Sequence, residues 1–171
     1  MTLKHVFRRC LRDRVDGQNV RSYFHVFKLT LTPKTQDTSD YTIDMSYTSS
    51  LLDKLYADCP AQYGGSNEKP VSKWDDVETT LADLETSKLH YVLLPENHIV
   101  VDFDLKNEKG EKDARRNLEE ASKFLPTYAE YSKSGGGIHL HYIYDGDVKE
   151  LSTLFAEDIE IKTFTGKQSL R

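Results

Sequence analysis

Three short stretches hold the side chains that could do chemistry. In Ile99-Val100-Val101-Asp102-Phe103-Asp104-Leu105 two aspartates stand two apart in an otherwise apolar run. Alternate side chains of an extended strand point to opposite faces, so Asp102 and Asp104 share one face with Val100, and Val101, Phe103 and Leu105 take the other. Two adjacent carboxylates repel each other unless something positive compensates them, and a divalent cation does so most economically. In Ile138-His139-Leu140-His141-Tyr142-Ile143-Tyr144 the same alternation puts His139, His141 and Ile143 opposite Ile138, Leu140, Tyr142 and Tyr144. In Ile159-Glu160-Ile161-Lys162 an acid and a base oppose two isoleucines.

If these three strands pair in one sheet, Asp102, Asp104, His139, His141, Glu160 and Lys162 converge on one surface. A merely wet face needs no such concentration of acids and imidazoles, so the pattern points to a metal site with cationic neighbours for a phosphorylated ligand. The turn Ser134-Gly135-Gly136-Gly137 leads straight into the His139 strand. Without Cβ atoms its backbone N–H groups can approach phosphate oxygens. No Gly-Lys-Ser/Thr follows, so this is not a Walker loop, and Thr165-Gly166-Lys167 is too isolated to serve as one.

The elements that must position these groups can be read in order. The basic start, with Arg8, Arg9, Arg12 and Arg14, reads as a short helix or an extended arm; residues 22–32 read as a strand and 33–40 as a loop. Ser49 or Ser50 caps a helix carrying Leu51, Leu52, Leu55 and Tyr56, and residues 62–70 form an exposed loop. Trp74, Val77, Leu81 and Leu84 have the spacing of an amphipathic helix, with Trp74 as a core anchor. Residues 90–95 form a strand that turns at Glu96-Asn97 and returns as the Asp102 strand. After a charged loop, Ala114, Leu118, Ala121 and Leu125 mark a helix stopped by Pro126. A strand over 128–132, the His139 strand, a short helix through Val148, Leu151, Leu154 and Phe155, and a closing strand over 158–164 complete the chain. The expected class is α+β: a mostly antiparallel sheet backed by helices.

At 171 residues the chain suits one domain with a real core, here read as an N-terminal αβ subregion over 1–88 and a catalytic subregion over 89–171. A net charge of −5 gives no general attraction to nucleic acid or anionic membrane, so any polynucleotide must be held by a local basic surface or by metal. No run approaches the roughly 18 apolar residues of a membrane span, and the start lacks the apolar core of a signal peptide. With Cys10 and Cys59 far apart, the expected setting is reducing and cytoplasmic, with no membrane partner.

Val-Asp-Phe-Asp (101–104), Tyr-Ser-Lys-Ser-Gly-Gly-Gly-Ile-His-Leu-His-Tyr (131–142) and Ile-Glu-Ile-Lys (159–162) resemble the three ordered motifs of the archaeo-eukaryotic primase superfamily, nearest its phage- and plasmid-encoded primase-polymerases. The resemblance covers roughly residues 90–165, and the first half fits only in outline. It implies an RRM-like catalytic sheet packed against an N-terminal αβ module, and a template-directed DNA primase or polymerase acting in phage or plasmid replication. Asp102, Asp104 and Glu160 would hold two Mg²⁺ or Mn²⁺ ions. His139 would contact the triphosphate of the incoming nucleotide, with Ser132, Lys133, Ser134, Gly135, Gly136 and Gly137 completing the cradle. Lys162 would neutralise phosphate charge, with Lys167 and Arg171 further out, and His141 falls outside the minimal motif. The implied partners are nucleoside triphosphates, a single-stranded DNA template with its primer, and a helicase region or subunit; the implied location is the host cytoplasm.

Two other readings compete. A rolling-circle initiator or relaxase nuclease would use His139-Leu140-His141 as a metal pair beside a nucleophilic tyrosine on a later helix, but the later tyrosines, Tyr142 and Tyr144, lie in the strand itself and point away from the histidines. A non-catalytic nucleic-acid-binding module would stack bases on exposed sheet aromatics, yet Phe103, Tyr142 and Tyr144 fall on the apolar side.

Overall fold

The computed structural model describes residues 43–151 and 153–165, together with the backbone of 14–15, 18–19 and 26–27. Arg8, Arg9, Arg12, the 33–40 loop, Lys167 and Arg171 lie outside the described residues. Met1–Tyr47 with Asn97–Thr163 form one compact unit, and Thr48–Glu96 with Phe164–Arg171 form another. The chain thus leaves the first unit and returns to it, where the sequence suggested one boundary near residue 88.

The first unit is an α+β arrangement. Short strands β1 (Arg14–Val15) and β2 (Gln18–Asn19) pair with each other, and β3 (Val26–Phe27) joins the main sheet. In the second unit α1 spans Leu52–Leu55, and β4 (Ala61–Tyr63) pairs antiparallel with β5 (His90–Val92). The first unit resumes with β6 (His98–Phe103), α2 (Ala114–Ala121), β7 (Ala129–Tyr131), β8 (Ile138–Tyr144), β9 (Leu154–Ala156) and β10 (Ile159–Thr163). Its sheet runs β3-β8-β6-β10-β9, with β7 also on β8; every pairing is antiparallel except β3 with β8.

β6 lies in the interior of this sheet, and all six of its residues are buried. Its apolar side, Ile99, Val101 and Phe103, meets Leu140, Tyr142, Ile159 and Ile161 in the core. Asp113 caps α2 by accepting a hydrogen bond from the Arg116 N–H, and buried Ala121 of this helix belongs to the same core. Phe103 and Phe124 meet edge to face at 5.1 Å, and Phe124 meets Phe155 at 5.4 Å. Among the described residues no helix is long and apolar enough to cross a membrane.

Five expectations are corrected. No hairpin joins the 90–95 segment to β6, because both edges of β6 are occupied by β8 and β10 and β5 pairs with β4 instead. The helix expected from Trp74 to Leu84 is two short 3₁₀ turns, Trp74–Asp76 and Leu81–Asp83. The residues between are claimed by neighbours: Thr79 O accepts from the Ala61 N–H, the Thr79 hydroxyl donates to Ala61 O, and Thr80 and Asp83 cap the second turn. Trp74 is only half-buried, and Leu81 is the core residue. Gln62, expected in an exposed loop, is buried and bonds both ways with the Ser72 backbone. The helix expected over 148–155 is one 3₁₀ turn followed by β9, which turns back through Asp158 (φ 56°) to pair with β10.

Candidate functional site

The strand register builds the site. Directly opposed residues of antiparallel strands share a face. Glu130 of β7 opposes His139 of β8, His139 opposes Asp102 of β6, and Asp102 opposes Glu160 of β10. Four strands therefore set an acid, an imidazole and two more acids in one row. In the next row His141 opposes Val100, and Val100 opposes Lys162. The sheet so brings together Asp102, His139, His141, Glu160 and Lys162 from three stretches far apart in sequence.

This face is not simply wet. Asp102 is 4% exposed, while His98 and His141 are fully buried. Burial pushes the Asp102 carboxyl up, but the His139 ring and the Lys162 ammonium beside it outweigh that and hold it at about 2. His139 Nε2 lies 3.2 Å from Asp102 Oδ1, and Lys162 Nζ pairs with Oδ2.

Asp104 sits one residue beyond β6, where its N–H donates to Asp158 O at 2.8 Å. Its Oδ1 is 2.6 Å from Lys112 Nζ. Each aspartate of the pair is thus matched to a lysine. Glu160 and Lys162 are exposed.

The serine-glycine turn lies against Asp104. A Cβ on Gly137 would come within 2.5 Å of Asp104 Oδ1 and 2.7 Å of Ser132 Oγ, so a larger residue there would have to push these side chains aside. Gly135 holds φ 74°, the left-handed region glycine tolerates best. The Gly135 N–H donates to Ser132 O and the Gly137 N–H to Ser132 Oγ, so these two amides close the turn on itself. Ser132 is buried, while Lys133, Ser134 and Gly135 are exposed. Asn117 of α2, fully buried, braces the assembly: its Oδ1 accepts from the Leu105 N–H at 2.8 Å, and its Nδ2 donates to Leu105 O and Gly136 O.

Four contributors escape sequence reasoning. Glu130 pairs its Oε1 with His141 Nε2 at 3.3 Å and accepts the Tyr128 hydroxyl on Oε2 at 2.8 Å. His98 Nε2 lies 3.0 Å from His141 Nδ1. Burial holds both His98 and His141 below the usual imidazole range, so both are neutral ligands or hydrogen-bonding groups near pH 7. Glu130 could have been found by carrying the alternation Tyr128, Glu130, Ser132 one strand further. His98, Lys112 and Asn117 carry no local signal.

Glu130, His139 and His141 could together hold a metal ion: among the described residues they form the one group of such ligands whose donor atoms all lie within 4.8 Å of one another. Asp102, Asp104 and Glu160, also described, do not meet that measure. Tyr142 lies on the apolar side of β8, with its hydroxyl donated to Leu125 O at 2.7 Å, and Tyr144 belongs to the same core. No family model, characterised protein or solved structure matches the chain.

Proposed function

We propose that the chain is a template-directed nucleotidyltransferase of the primase-polymerase type, joining nucleotides to a 3′-hydroxyl on a single-stranded DNA template with release of pyrophosphate. The observation that carries this reading is the single row Glu160, Asp102, His139 across three neighbouring strands, one residue from each of the three motifs. A mostly antiparallel sheet with a helix over its apolar face also suits the RRM-like catalytic sheet of the primase superfamily.

In this reading Asp102, Asp104 and Glu160 would hold a pair of Mg²⁺ or Mn²⁺ ions. The proposed ligands Asp102, Asp104 and Glu160 are all hard oxygen donors; Asp102 stands beside His139 and Lys162, and Asp104 Oδ1 is 2.6 Å from Lys112 Nζ. Such ions, when bound, would neutralise charge at the phosphates and acidify the attacking hydroxyl. Asp102, held ionised far below neutrality, stays an acceptor throughout the working pH range. Lys162 and Lys112 release the carboxylates and turn to phosphate oxygens. His139, beside Asp102, binds the triphosphate, and the exposed edge of the turn at Lys133 and Ser134 borders it; Gly135 and Gly137 contribute shape rather than amide donors.

Primer extension on single-stranded template tests the reading. Deoxynucleotides or ribonucleotides with Mg²⁺ or Mn²⁺ should give product that EDTA abolishes. A protein that binds template equally well in EDTA and extends nothing under any nucleotide and metal combination would be a binding module instead.

A further inference from the structure

We propose that Glu130, His139 and His141 form a site for one divalent transition-metal ion of the Zn²⁺ class. This goes beyond the nucleotidyl-transfer reading, which assigns metals to carboxylates only, and does not depend on it.

The spacing is that of ligands around one ion. With metal–ligand distances of about 2.0–2.2 Å, two donors of a tetrahedral zinc stand about 3.3 Å apart. His141 Nε2 and Glu130 Oε1 are 3.3 Å apart, and a ring nitrogen of His139 completes the group within 4.8 Å. His141 Nε2 is buried and faces Glu130 Oε1 at 3.3 Å without a well-formed hydrogen bond. A buried imidazole nitrogen and a carboxylate oxygen at this separation present two donors that one cation would satisfy together.

The surroundings suit an ion too. Metal-bound histidines and carboxylates commonly engage their remaining polar atoms elsewhere, which fixes tautomer and orientation. Here His141 Nδ1 is 3.0 Å from His98 Nε2, and Glu130 Oε2 accepts from the Tyr128 hydroxyl at 2.8 Å. All three ligands stand on paired strands, with Glu130 and His139 directly opposed and His141 two residues along the same face. Two imidazoles and one carboxylate favour Zn²⁺ or Co²⁺ over Mg²⁺ or Ca²⁺, and three protein ligands leave a position for water or an anionic oxygen. Entry is from the Glu130 and His139 side, where the side chains are 24% and 14% exposed.

The experiment strips the full chain with chelator, titrates it with Co²⁺, and then displaces the Co²⁺ with Zn²⁺ followed by calorimetry. The expected result is one ion per chain with the visible absorption of four-coordinate cobalt. Glu130→Gln, which keeps the Tyr128 contact and should fold, is expected to weaken Zn²⁺ binding at least about 100-fold, and Tyr128→Phe about 10-fold. Glu160→Gln should bind Zn²⁺ as the wild type does, even where it no longer extends a primer, which separates failure here from failure of the nucleotidyl-transfer reading. Absence of a four-coordinate cobalt spectrum, or Zn²⁺ affinity unchanged in Glu130→Gln, would overturn the proposal.

Discussion

Glu160 and Asp102, 58 residues apart along the chain, are directly opposed on neighbouring antiparallel strands and share the polar face of the sheet. Ile159 and Ile161 of the same strand are buried in the core on the other face, so a slip of one residue would bury Glu160 and expose the isoleucines. The hydrophobic pattern therefore fixes where the acid stands.

Asp102→Asn together with Asp104→Asn should reduce metal-dependent extension by about 10³-fold or more while leaving circular dichroism unchanged. The lysines left behind, Lys162 and Lys112, are 43% and 32% exposed and can turn to water. Extension at the wild-type rate would remove the aspartates from the chemistry.

Much of this site was legible in the sequence because alternation is a local signal. The stretches 99–105, 138–144 and 158–164 announce strands, which form over 98–103, 138–144 and 159–163, and the expected faces hold for Asp102, His139, Glu160 and Lys162. Illegible were the groups fixed by distant partners. Asn117 looks like one more polar residue of an amphipathic helix until Leu105 and Gly136 are brought to it. Trp74 to Leu84 has helical spacing, but pairing of Thr79 with Ala61 overrides it.

Asn117→Ala should destabilise the fold by about 2–3 kcal/mol, because it strands buried backbone groups of Leu105 and Gly136. Chemical denaturation gives the number. A cost below about 0.5 kcal/mol would mean that water or a shifted turn satisfies them.

The glycines of the turn should differ in kind. Gly137→Ala forces Asp104 or Ser132 aside and should cost about 1–3 kcal/mol along with activity. Gly135→Ala meets nothing within 4 Å but keeps φ 74°, so it should cost about 1 kcal/mol through backbone strain alone. Equal losses of stability and activity in the two variants would contradict this division.

Stability in chelator should fall as the medium is acidified. Asp102 has its carboxyl depressed from 3.8 to about 2 on folding. A depressed acid stabilises the fold fully above its unfolded value and loses that contribution as pH drops through the folded one, here about 2 kcal/mol between pH 4 and 2. Asp102→Asn should flatten this part of the profile, measured by denaturation at each pH; an unchanged slope would show that Asp102 is not the group responsible.

The most direct test compares extension rates of Asp102→Asn, Glu160→Gln and the double variant at saturating Mn²⁺. Acids that serve the same reacting centre give strongly non-additive losses, so each single change should cost about 10³-fold and the double variant little more than the worse single. Wild-type extension by Glu160→Gln would contradict the account, because the opposed acid of β10 would then have no part in the chemistry.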